Sequence, residues 1–197
     1  MWDGLAARLE GEIVVLEPIA PEHEEGLYEA ARDMDWSWMF VDAGKSREAF
    51  AHYFEAALGT ARRGVEVPFV TLDATTGEPI GSTRFLTIRP QHHGLEIGWT
   101  WLRRSRWQSG ANIEAKLLQL THAFEKHDCM RIEFKTDAKN ERSRRAMEAL
   151  PAQFEGIFRK HMLVGDGGDR LRDSAFYSIV DDEWQDVKAN LLRRLGR

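Results

Sequence analysis

Gln108, Ser109, Gly110, Ala111 and Asn112 lead straight into the apolar periodicity of 113–118, and a strand-like stretch, 95–102, precedes them. Small residues that turn a strand into a helix leave unpaired backbone N–H groups at the positive end of a helix dipole. That geometry binds phosphate. Arg103, Arg104 and Arg106 lie just upstream and carry guanidinium groups suited to phosphate oxygens. The chemistry to expect is that of a phosphate-bearing cofactor. A second basic patch, Lys139, Arg142, Arg144 and Arg145, follows further along. The histidines form no metal set, since His92 and His93 are adjacent with no third ligand nearby, and Cys129 reads as a small core residue.

Composition narrows the class. The 197 residues suit one domain, 1–197, with a core over 12–181 and a tail helix over 182–197. Hydrophobic residues at 43% are enough for a proper core, and a net charge of −5 argues against a protein that coats nucleic acid. One cysteine allows no disulfide within the chain. No apolar run reaches the roughly 18 residues of a membrane helix, and Met1, Trp2, Asp3, Gly4 do not open a signal peptide. A cytoplasmic location with no membrane partner is the expectation. The seven tryptophans and the tail helix suit a homodimer.

The elements that must position these residues follow from periodicity. Strands are expected over 12–18, 65–73, 80–88, 94–102, 130–136, 154–163 and 174–180, the last two joined across Gly165, Asp166, Gly167 and Gly168. Helices are expected over 21–33, 46–61 with Ser46 as cap, 112–127, 140–150 and 182–195. Short connections make the three strands from Val65 to Leu102 an antiparallel meander. The strand–helix–strand unit that follows implies a parallel pair. The fold class is α+β, a mixed and mostly antiparallel sheet flanked by helices. Along 95–101, alternation puts Glu96, Gly98 and Thr100 on one face and Leu95, Ile97, Trp99 and Trp101 on the other. In the helix from Asn140, Ser143, Ala146, Met147 and Leu150 share the inner face.

This order of elements, the turn at 108–112, the run Leu95-Glu96-Ile97-Gly98-Trp99 and the signature Asn140-Glu141-Arg142-Ser143 together resemble the GCN5-related N-acetyltransferase superfamily. The segments Phe154-Glu155-Gly156, Gly167 to Asp173, Tyr177-Ser178 and Glu183-Trp184 look most like its RimJ/RimL branch of ribosomal-protein N-terminal acetyltransferases. With Gly110 as the shared glycine, Trp107 and Asn112 stand where that family's loop usually has Gln or Arg and Gly or Ala.

The resemblance implies an enzyme that moves an acetyl group from acetyl-CoA to a primary amine, by direct transfer in a ternary complex. Trp107, Gln108, Ser109, Gly110, Ala111 and Asn112 would hold the pyrophosphate. The backbone of Trp101 and Leu102 would pair with the pantetheine arm, and Asn140 would hydrogen-bond it. Ser143 would sit near the thioester sulfur and could protonate the leaving thiolate, with Tyr177 a competing acid. Glu96 is the candidate general base, because an amine that is protonated at neutral pH must lose its proton before it attacks. Trp36, Trp38 and Arg84 would line the acceptor site. The acceptor is a small molecule or a protein N-terminus. A non-catalytic acyl-CoA-binding or regulatory protein of the same fold is the alternative reading, since fold alone does not make an enzyme.

Overall fold

A computed structural model of the chain describes residues 2–165, 167–168 and 170–197. Met1, Asp166 and Asp169, which fall in the N-terminal stretch, the glycine-rich turn and the hairpin segment named above, lie outside the described residues. In chain order the elements are β1 (Leu9–Glu10), β2 (Val14–Pro18), α1 (Glu24–Ala31), α2 (Arg47–Arg62), β3 (Val67–Asp73), β4 (Pro79–Arg89), β5 (Gly94–Leu102), α3 (Ala111–Lys126), β6 (Arg131–Asp137), α4 (Glu141–Ala149), β7 (Gln153–Val164), β8 (Arg170–Val180) and α5 (Trp184–Arg194). They build one sheet in the order β1-β2-β3-β4-β5-β6-β8-β7. Among the described residues only β5 and β6 run parallel in it, joined by α3, while every other neighbouring pair is antiparallel. The mixed, mostly antiparallel α+β arrangement and the meander β3–β5 are as expected.

The local causes are visible. Ser46 caps α2 by accepting from the Ala49 N–H at 3.1 Å. The apolar stripe Phe50, Tyr53, Phe54 and Leu58 then packs with Leu27 and Ala30 of α1 against one face of the sheet. On the other face, Ala115, Leu120 and Phe124 of α3 and Trp184, Val187 and Leu191 of α5 bury Leu95, Ile97, Ile132 and Phe134. Several boundaries differ from expectation: α1 begins at Glu24, β3 at Val67 and β8 already at Arg170. The first long strand begins at Val14, two residues later than its composition implies, and gains a two-residue partner in β1. The helix α3 begins at Ala111 and not at Asn112, because its N-cap is Gly110 at φ 85°.

The larger correction concerns β5. Ser82 pairs with Trp101, but Arg84 pairs with Gly98, so three steps along β5 face two along β4. The extra residue is accommodated at Trp99, whose φ is 50°. This bulge reverses the alternation beyond it. Leu95 and Ile97 face α3, and so does Thr100, whose hydroxyl accepts from Lys116 Nζ at 2.8 Å. Trp99 and Trp101 turn to the α1–α2 side, the opposite of what strict alternation predicts.

Candidate active site

β5 and β6 pair only over Gly94, Leu95 and Glu96 against Arg131, Ile132 and Glu133. Past that rung the two strands part, and 97–102 has no ladder partner on its β6 side among the described residues. A strand edge opened in this way offers unpaired backbone groups to an extended, amide-bearing ligand. Trp101 and Leu102 lie at the far end of the opening, paired on their other side with Ser82 and Gly81.

The phosphate-type loop lies where this edge ends. A single 3-10 turn, Arg104–Arg106, follows β5. Trp107 closes it by donating its backbone N–H to Arg104 O at 3.1 Å and its indole N–H to Leu102 O at 3.0 Å. The Trp107 N–H is therefore already used, and the donors left for a phosphate come later in the loop. Gly110 caps α3 without any side-chain hydrogen bond, and the first intrahelical bond runs from the Glu114 N–H to Gly110 O. The Ala111 N–H donates to Ser109 Oγ at 3.4 Å, so the N–H groups of Asn112 and Ile113 are the orphans of the first turn. Asn112 sits inside the helix and does not cap it. Of the upstream arginines, Arg106 is committed to an ion pair with Asp73, while Arg104 leans on the Trp107 ring, 5.5 Å from its centroid. Arg142 of α4 covers the same ring at 3.9 Å. These free N–H groups, the glycine at positive φ and the parted strands fit a pyrophosphate followed by a pantetheine arm.

On the second side of the opening, the buried Asn140 caps α4, its Oδ1 accepting from the Ser143 N–H at 3.1 Å. Ser143 is half-buried and Ala146 is exposed, so the continuous inner face predicted for this helix is not formed. α4 reaches the core only through Met147 and Leu150 at its end. Tyr177 is fully buried on the α3 side, and its hydroxyl accepts from Arg144 Nε at 3.0 Å. Its observed role is to brace α4.

Glu96 occupies the last paired rung. It is 4% exposed, and Oε2 accepts from Lys135 Nζ at 2.6 Å and from Thr87 Oγ1 at 3.2 Å. Gly98 gives Oε1 its room, since a Cβ there would lie 3.2 Å from it. Around this carboxylate stands an aromatic and cationic wall. Phe40 and Trp99 have ring centres 4.8 Å apart, and the guanidinium of Arg84 lies 4.7 Å from the Trp99 ring centre. Arg84 is buried and paired with Glu66 at 2.9 Å. Burial opposes its charge, but Tyr53 and Glu66 together hold its pKa above the usual arginine value. Trp36 is buried behind this wall, its ring tilted against that of Trp101 and its indole N–H donating to Ala31 O, whereas Trp38 is half-buried with no ring contact or hydrogen bond among the described residues. A cavity of about 590 Å³ opens beside Phe40, lined also by Met39, Arg104, Gly165 and Arg170. Glu96 does not line it.

Phe40, Trp99, Lys135 and Arg172 are the residues that sequence reasoning missed. The charged period-two face Arg131, Glu133, Lys135 was a usable signal for Lys135. The position of Trp99 had none, because it depends on the bulge.

Comparison with known proteins agrees with this geometry. A family model described as an acetyltransferase (GNAT) domain matches residues 14–153. A GCN5-related N-acetyltransferase from Brucella melitensis superposes with a TM-score of 0.85 at 28% identity, covering 95% of this chain and 85% of that one. A candidate acetyltransferase from T. thermophilus reaches 0.82 at 36% identity, covering 99% and 100%. In sequence, the uncharacterized N-acetyltransferase p20 of Bacillus licheniformis is 27% identical over 146 residues, 74% of this chain and 77% of its own. The chain belongs to the GNAT acetyltransferases and transfers an acyl group from acetyl-CoA to an amine acceptor.

Proposed function

We propose that the chain is a single-domain, cytoplasmic enzyme of the RimJ/RimL branch, which acetylates a primary amine by direct transfer within a ternary complex. Acetyl-CoA supplies an activated thioester carbonyl. The N–H groups opening α3, with Gln108, Ser109 and Gly110, hold its pyrophosphate, while Trp107 holds the loop to the strand. The free edge at Trp101 and Leu102 and the amide of Asn140 hold the pantetheine arm. Glu96 takes the proton from the incoming ammonium, so that the nitrogen lone pair can form the new C–N bond as the C–S bond breaks. Ser143 returns a proton to the thiolate. Arg84 and Trp36 shape the acceptor side through the Trp99 wall, with Trp38 at its margin. Positioning carries most of the catalysis, because no activated nucleophile for an acyl-enzyme is present among the described residues near Glu96. A homodimer through the tail-helix region belongs to the same proposal.

The observation that carries this reading is the ladder that stops at Glu96, with a buried carboxylate at the fork and a helix N-terminus with a glycine N-cap and free Asn112 and Ile113 N–H groups at the mouth. Calorimetry with acetyl-CoA, paired with thiol release over a panel of amino acids, polyamines and peptide N-termini, tests it. Micromolar-range binding with release from at least one acceptor is the expected result. Binding without release from any acceptor would leave only a carrier of acyl-CoA.

A further inference from the structure

The Glu96 fork has an unbalanced charge. Arg172 of β8 is 4% exposed, and no carboxylate hydrogen-bonds its guanidinium among the described residues. Its Nε is sealed from solvent with no partner. Its guanidinium carbon lies 4.8 Å from the centre of the Phe40 ring, on the wall that Phe40 forms with Trp99. Two carboxylates are near enough to act on it electrostatically, Asp137 and Glu96. Both are taken. Glu96 holds Lys135 at 2.6 Å and Asp137 holds Arg170 at 2.9 Å. His161, whose Nδ1 lies 3.0 Å from Ser174 Oγ, is a further titratable neighbour, and burial first, then Lys135 and Arg172, lower its pKa against the opposing pull of Glu96.

The group thus contains three cationic side chains and two carboxylates, with the surplus on a buried arginine. An unpaired buried charge is among the costliest features a fold can keep. A ligand anion would relieve it, and a guanidinium is shaped to take a carboxylate with two parallel hydrogen bonds.

We propose that Arg172 binds a carboxylate carried by the acceptor, so that the substrate class is small amines bearing a carboxylate, such as amino acids. This rests on the acetyltransferase reading of the Glu96 fork and adds the acceptor's second anchor. The Phe40–Trp99 wall sits between the two anchors and takes the apolar part of such a molecule.

The test uses the protein loaded with coenzyme A. N-acetylglycine, N-acetyl-β-alanine and N-acetylphenylalanine are titrated in turn, each against its carboxamide. The acids should bind roughly ten- to a hundredfold more tightly than the amides, the worth of one hydrogen bond to a charged group. Arg172→Gln should abolish that difference, Arg172→Lys should keep part of it, and coenzyme A affinity should be unchanged in both. Equal binding of acids and amides, no acid binding at all, or discrimination that survives Arg172→Gln would overturn the proposal. Failure to bind coenzyme A would instead sink the acetyltransferase reading itself. Arg172→Met should melt no lower than the wild type. A clear loss of melting temperature would make the arginine a structural brace and overturn the proposal too.

Discussion

Lys135 Nζ lies 2.6 Å from Glu96 Oε2, joining β6 to β5 just where their backbone pairing ends. The carboxylate proposed as base and its counter-ion therefore sit on the two strands whose parting forms the opening proposed for the pantetheine arm. Glu96→Gln keeps the shape of the site and removes the proton acceptor. The turnover number should fall about a hundredfold or more, with the KM for acetyl-CoA unchanged and the rising limb of the pH–rate profile flattened. A profile identical to wild type would remove Glu96 as the base.

The same pair has a stability signature. Lys135→Met strands a buried carboxylate and should cost about 3 kcal/mol in chemical denaturation. The double variant Glu96→Gln, Lys135→Met removes both charges of the pair and should recover most of that loss. Additive effects in the cycle would mean that the two groups do not interact.

Lys116 of α3 is buried and bonded only to neutral oxygens, those of Thr83, Thr100 and Gln119. Burial lowers its pKa to about 7. In the unfolded chain the amine holds its proton up to its ordinary value near 10.5. Between these two values the unfolded state binds more protons, so the lysine's contribution makes stability rise with pH, at most by about 1.4 kcal/mol per unit. Denaturation midpoints should climb from pH 7 to pH 9. Lys116→Met should flatten that climb and be the more stable protein at pH 6.

Asn140 combines two duties that substitution can separate. Asn140→Ala removes the cap of α4, costing about 1 kcal/mol, and should also raise the KM for acetyl-CoA. Asn140→Asp caps equally well but has no amide N–H to donate. Restored melting temperature with an impaired KM would assign the amide to the cofactor, while full recovery of both would leave capping as its only role.

Much of this architecture was legible because local and tertiary preferences agree. Ser46 caps α2 as its type and position predict, and the α3 stripe Leu117, Leu120 and Phe124 is buried. Asn140 caps α4 beside the opening and Glu96 is buried at its apex, and the cap was legible in the residue type and position. Trp99 was not legible. A tryptophan at φ 50° has no composition signal, yet that one dihedral decides which face receives Thr100 and which receives Trp101. Arg172 was hidden for a related reason, because its neighbours come from β6 and from the irregular segment holding Phe40. Pairings across such distances are set by tertiary packing, which residue spacing does not encode. The start of α3 was placed one residue late, at Asn112, because only the positive φ of Gly110 marks where the helix begins.

Glu114, in the first turn of α3, accepts backbone N–H groups from Glu12, Ile13 and Val14 and the guanidinium of Arg197. These contacts span about a hundred residues in one direction, 102, 101 and 100, and 83 in the other. Contacts so distant along the chain form only after the loop-closure entropy has been met. The start of α3 should therefore be seated late in folding, once residues 12–14 from one side and Arg197 from the other converge on a single carboxylate. Loosening this knot would be felt as faster unfolding, with the rate of folding little changed. The N-terminus of α3 is thus moored through one carboxylate to segments from near both ends of the sequence.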